Sequence, residues 1–280
     1  MTQKTIPQSL CEAGLLVLKT TNAAEKAQKS RDMVALWRED KITKIGLETE
    51  IPSRPNRPEK PELLDPRNMP KRGKAGSIKS KIALLHALAH IELNATDLSW
   101  DIIVRFAHMS DENTKEGFTI PKEFFDDWCK VADDEGKHFL MLNKRLSDLG
   151  ATYGDLPEHD GLWESAERTA EDFATRLAVV PMVLEARGLD VTPNMIEGMK
   201  TQKDFETAEM LQIIHDDEIT HVRAGTVWFE SWCAYHKLDI EETFQDLVQR
   251  YFYKNLKKPF NHPSREEAGM LRQWYEPLAE

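Results

Sequence analysis

Two stretches decide the fold: DDEGKHF, residues 133–139, and DDEITHV, residues 216–222. Both write Asp-Asp-Glu-x-x-His, 83 residues apart. A Glu and a His three positions apart share one face of a helix. In the first stretch that face is apolar. Phe125, Trp128, Ala132, Glu135, Phe139, Leu142, Leu146 and Leu149 step by three and four, and His138 lies one turn beyond Glu135, beside the stripe. In the second, Leu211, Ile214, Glu218, His221, Gly225, Phe229 and Trp232 make the same kind of stripe. Both motifs are expected to point into a helical core.

A buried carboxylate is costly unless it is paired, protonated or bound to a metal. One buried Glu could pair with an Arg; two core-facing Glu-x-x-His sets ask for a shared cation. Glu oxygen and neutral His nitrogen suit iron, manganese or zinc. Two cations in a helix bundle need more carboxylates, one from each of the two remaining helices. IALLHALAHIELNATDLSW offers Glu92, the only acid between Gly76 and Asp97, and FATRLAVVPMVLEARG offers Glu185, the only acid between Asp172 and Asp190. The ligand order is then Glu92, Glu135 and His138, Glu185, Glu218 and His221. The 47 residues from His138 to Glu185 leave room for a long crossover between two helix pairs. A ligating His commonly donates its other ring N–H to a carboxylate. Asp134 is therefore expected to orient His221, and Asp217 to orient His138, while Asp133 and Asp216 are expected to be solvated flanks.

The rest of the chain reads as helix with one interruption. Residues 6–38 look helical, as do 77–109, 121–149, 161–187 with a kink at Pro181, 203–236 and 239–253, with a short helical turn near 193–200. No strand-like alternation runs beyond four residues, so the class is all-α. Six prolines from Pro52 to Pro70 exclude a helix there and mark an extended strap. Three parts are expected: an N-terminal helix and strap over 1–76, a four-helix bundle over 77–236 and a helical extension over 237–280.

The net charge of −11 sets up no positive field for nucleic acid or an anionic membrane, although tRNA is not excluded. Cys11, Cys129 and Cys233 lack metal spacing and fit a reduced cytoplasmic compartment. MTQKTIPQSLCEAGLLVLKTTN carries no long apolar run, so neither a secretory leader nor a membrane span is expected.

With the motifs in place, the chain resembles the ferritin-like di-iron carboxylate superfamily, and more closely its DUF455 group. The matching stretches are RPNRPEKPELLDPRNMPKRG, LLHALAHIELNATDL, FFDDWCKVADDEGKHF, VVPMVLEARGLDVTP, IIHDDEITHV and LKKPFNHPSREEAG, which together span about residues 50–270. The resemblance implies a ferritin-like four-helix bundle holding two iron ions, with manganese or zinc as alternatives. On that reading Glu92 and Glu185 are terminal or shifting ligands, Glu135 and Glu218 bridge, and His138 and His221 each hold one metal. The superfamily includes hydroxylases, desaturases, oxidases, ferroxidases and a tRNA-modifying hydroxylase. The expected activity is O2-dependent oxidation of an unidentified small molecule or nucleoside. No flavin or ferredoxin motif is present, so the electron donor would be a separate partner. A metal-handling ferroxidase or peroxide scavenger, or a structural metal protein, stands beside it.

Other residues carry two readings each. His86 and His90 sit off the ligand face of Glu92, as packing or supporting groups. His215 either packs or bonds Glu218. Thr96 either borders the metals or bonds its own helix. Arg265 is a salt-bridge anchor or an anion contact. Gly136 and Gly225, beside the two motifs, leave room for a cavity or permit close helix packing.

Overall fold

In this computed structural model residues 6–47, 50–70, 76–111, 114 and 117–279 are described. The protein is helical, with 69% of residues in helices and no strand among the described residues. No helix among them is long and apolar enough to cross a membrane. The chain forms two compact units, one ending at Trp163 and one beginning at Glu164.

In the first unit, α1 (Leu10–Leu18) begins at Ser9, whose side chain accepts the Glu12 N–H. α2 (Ala23–Arg38) begins at Asn22, which accepts the Glu25 N–H. The single helical run read over 6–38 is thus two helices. Thr20, Thr21 and Asn22 break it, because β-branched and capping residues favour a new start over continuation. The proline strap lies along this unit. Asn56 N–H donates to the Leu18 carbonyl at 2.8 Å, and Leu64 N–H donates to that of Glu158 at 2.8 Å. The last part of the strap, residues 71–75, lies outside the described residues.

α3 (Ile78–Phe106) starts at an N-cap Ser77 and runs into a 3-10 turn over Ala107–Ser110. α4 (Lys122–Asp148) folds back on α3 and also packs against α2. Pro121 occupies its N-cap, one residue before the first helical position where the sequence places it. Gly150, at φ +76°, lets the chain turn after α4. α5 (Gly161–Arg168) follows.

The second unit departs most from the sequence reading. The expected helix over 161–187 is interrupted, because Asp172 caps a new start by accepting the Thr175 N–H at 2.6 Å. α6 (Phe173–Val179) then widens into a π-helical turn, Val180–Glu185, at the expected kink. Pro181 offers no N–H and its ring presses on the preceding turn, so the helix loosens there. The helix does not stop at Gly188. α7 (Ala186–Thr201) passes through both Gly188 and Pro193, so the separate turn near 193–200 belongs to it. An interior Gly costs only about 1 kcal/mol, and α7 buries Leu189, Ile196 and Met199. Pro193 cannot donate to the Leu189 carbonyl; Asn261 Nδ2 does so instead, at 3.0 Å.

α8 (Phe205–His236) begins at Asp204 and ends with Lys237 in the left-handed region. α9 (Ile240–Tyr251) starts at Asp239, whose side chain accepts the Glu242 N–H at 2.9 Å. α10 (His262–Glu267) and α11 (Arg272–Tyr275) complete the unit. Arg265 is the anchor of this tail, not an anion contact. Its guanidinium meets both Asp190 oxygens at 2.8 and 2.7 Å, lies 4.5 Å from the Tyr275 ring centroid and is 2% exposed.

Candidate metal centre

The repeated motifs fall one in each unit. In the first, Glu92 comes from the middle of α3, and Glu135 and His138 come from the middle of α4. All three are buried. His138 Nδ1 lies 3.2 Å from a Glu92 oxygen and 3.7 Å from a Glu135 oxygen. One ligand atom from each residue lies within 4.8 Å of the others. The apolar stripes of α3 and α4 place them here, since packing those stripes together carries the three polar groups inward.

Two acids beside one imidazole make an electrostatic problem. Burial, then the neighbouring charge of Glu135, pushes the Glu92 carboxyl well above the usual carboxylate range; the hydrogen bond to His138 pulls only partly the other way. A divalent cation would relieve that repulsion, and oxygen and imidazole donors match iron, manganese or zinc. The residues therefore fit a metal.

In the second unit, Glu218 and His221 lie one turn apart on α8, with His221 Nδ1 3.8 Å from a Glu218 oxygen. Glu185 closes the π-helical turn that packs on α8 and is half-buried. A Cβ at Gly188, one turn past Glu185, would lie 4.0 Å from Glu218 Cγ. Each unit thus carries one Glu-x-x-His on a helix; in the first a Glu92 oxygen lies 3.2 Å from its imidazole, and in the second Glu185 sits on the turn that packs against α8.

The surrounding histidines are held in place. Gly154 N–H donates to His86 Nε2 at 2.8 Å, which makes His86 Nδ1 the donor to Glu158 at 2.6 Å. Tyr153 hydroxyl and the His159 carbonyl bracket His90, at 2.9 and 3.1 Å. Burial lowers the His90 pKa to about 3, so the ring is neutral. His215 Nε2 sits 3.4 Å from Ser264 Oγ. Thr96 Oγ1 bonds the Glu92 carbonyl of its own helix at 2.9 Å. Asp134 accepts from Lys130 and Lys137, and Asp217 from Thr220 through its backbone carbonyl.

Two readings change. Asp133 is not a solvated flank: Arg31 and Arg38 of α2 bond it at 2.9 and 2.6 Å. Gly136 and Gly225 serve close packing where a cavity was one reading. A Cβ at Gly136 would meet the Ala27 carbonyl oxygen at 2.7 Å, and one at Gly225 would meet Pro181 Cγ at 2.5 Å. Sequence reasoning missed the buried Lys26, whose ammonium bonds Asp97 at 2.5 Å and the Asn56 carbonyl at 2.7 Å. No local signal marks it, because its partners lie 71 and 30 residues away.

A family described as "Protein of unknown function (DUF455)" matches residues 19–276. An "Uncharacterized protein" of Haemophilus influenzae is 40% identical over 259 residues, covering 91% of this chain and 88% of that one. No solved structure matches.

Proposed function

The chain belongs to the DUF455 family, and from that premise we propose a carboxylate–histidine metalloprotein whose two half-sites together bind a pair of metal ions, iron first. The repeated half-site carries this reading. His138 stands 3.2 Å from Glu92 in one unit and His221 stands 3.8 Å from Glu218 in the other. Each half offers three donors, fewer than the roughly four to six that such ions take. Glu92, Glu135, His138, Glu185, Glu218 and His221 would complete the set, with Asp134 and Asp217 orienting the imidazoles. Bound iron would supply the redox chemistry for reducing O2 while an organic molecule or nucleoside is oxidised. The chain's own part is to bury the acids, hold the imidazoles and exclude water. A separate protein would deliver the electrons.

A metal-handling role is the second reading. The packing behind Gly136 and Gly225 favours it, because neither glycine opens space for an organic substrate.

The test is anaerobic loading with Fe(II), metal analysis, and the optical spectrum after O2 is admitted. About two irons per chain, lost in a folded Glu135→Ala variant, and an O2-dependent absorption band are expected. Iron that is bound but inert to O2 moves the protein to the metal-handling reading. A folded chain that binds no metal, or binds it equally well as Glu135→Ala, removes both.

A further inference from the structure

The tail after α9 reverses the character of the chain. Between Asp246 and Glu266 there is no acid, yet Arg250, Lys254, Lys257, Lys258 and Arg265 all fall there. Arg250 is neutralised by Asp246, and Arg265 by Asp190. Among the described residues, Lys254, Lys257 and Lys258 pair with no carboxylate. In a protein of net charge −11 this local excess is a departure that needs a reason.

Lys254 and Lys257 line a cleft of about 710 Å³ with Tyr253 and Asn255, over an apolar floor that includes Val248 and Leu278. Among the described residues no acid contributes to the lining. The volume lies within the range of small-molecule sites, roughly 300–1,000 Å³.

Tyr253 supplies an independent sign. It stands two residues past the end of α9 at φ +55°, a place where Gly or Asn is usual. A bulky side chain there costs about 1–2 kcal/mol. Burial does not offset that cost, since Tyr253 is 70% exposed. Arg168 lies 5.8 Å from the ring centroid. Tyr253 therefore lines a basic cleft with a largely exposed ring that has Arg168 over it, and a strained residue beside a cleft is a ground for a functional hypothesis.

We infer that this cleft binds a nucleotide, with the base stacked on Tyr253 and the phosphates held by Lys254 and Lys257. Aromatic stacking and cationic phosphate contacts are the two terms that recognise such a ligand without reading its sequence. One compact cleft suits a single nucleotide better than a strand, which needs a groove tracking several phosphates. The inference is independent of the metal centre.

The test uses the full chain, metal-free, titrated calorimetrically with ATP and with inorganic tripolyphosphate. ATP is expected to bind more tightly than tripolyphosphate and to weaken at high salt. Tyr253→Gly is expected to cut ATP affinity about tenfold, to leave tripolyphosphate affinity unchanged, and to keep or raise the melting temperature by relieving the strain. Lys254→Ala with Lys257→Ala is expected to weaken both ligands, and Glu135→Ala neither. No ATP binding overturns the proposal. So does ATP affinity insensitive to Tyr253→Gly, or tripolyphosphate binding as tightly as ATP, which would mark a phosphate site alone. A single-stranded RNA that binds where ATP does not overturns the choice of a mononucleotide.

Discussion

Gly136 lies between the Glu and the His of the first motif, and a single methyl group there tests how the helix is held. A Cβ at Gly136 would come 2.7 Å from the Ala27 carbonyl oxygen and 3.1 Å from Arg31 Cγ. The arginine chain can yield. The carbonyl cannot, because it belongs to the backbone of α2, which is tied to α4. Ser30 Oγ donates to the Ala132 carbonyl at 2.7 Å, and Arg31 bonds Asp133 at 2.9 Å. Two effects oppose each other in Gly136→Ala. Helix propensity favours Ala by about 1 kcal/mol. Overpacking against fixed backbone costs about 1–3 kcal/mol, and parting the helices also stretches the ties just named. The net expectation is a loss of about 1 kcal/mol, or a fall of about 2–4 °C in melting temperature. Gly198, in α7, provides the control, because nothing lies within 4 Å of its Cβ position. Gly198→Ala is expected to gain about 1 kcal/mol. Urea unfolding of both variants would show opposite signs. Equal stabilisation would refute the close approach of α2 to α4 and restore the idea of space beside the motif.

Other outcomes follow from the same geometry. Arg265→Met removes the two-pronged partner of Asp190, whose side chain is fully buried and keeps only the Asn261 N–H at 2.9 Å and Arg187 at 3.4 Å, and is expected to cost about 2–3 kcal/mol in denaturant unfolding. Asn261→Ala leaves the Leu189 carbonyl without a donor and is expected to cost about 1–3 kcal/mol, less in a Pro193→Ala background that restores the helical N–H; a double-mutant cycle reads the coupling. Burial pushes the Cys233 thiol up from 9.0 to about 11. The folded protein keeps that proton longer than the unfolded chain does. Its contribution to stability is therefore whole below pH 9.0 and lost as pH rises through about 11, and urea unfolding of the chain and of Cys233→Ala across that range should show the difference. A metal taken at Glu92 would compete with the proton that burial favours there, so affinity should rise with pH and the loaded protein should melt higher; a proton count of zero, from calorimetry in buffers of different ionisation enthalpy, would refute this.

The helices that frame the motifs were legible because their signals are local. Asp239 caps α9 from within three residues of the N–H group it accepts, and Gly150 turns the chain within one residue of the α4 cap. Glu92 stood out because it is a lone acid in an apolar run, and such runs pack inward. Gly188 misled because a glycine is a weak stop: its cost of about 1 kcal/mol is smaller than the burial gained by continuing. Asp133 misled because it flanks the apolar stripe of its own helix, and only α2, a hundred residues earlier, supplies Arg31 and Arg38.

By itself the sequence determined the helical class, and placed Glu135 with His138 and Glu218 with His221 on one face of a helix each, all set within a turn or two of the chain. Tertiary structure alone decided the rest. It placed Ala27 against Gly136 and Pro181 against Gly225, gave the Leu189 carbonyl its donor from Asn261, and set Arg265 on Asp190. Those outcomes depend on which surfaces meet at close-packed density, and residues 44 to 109 positions apart carry no mutual signal until they do.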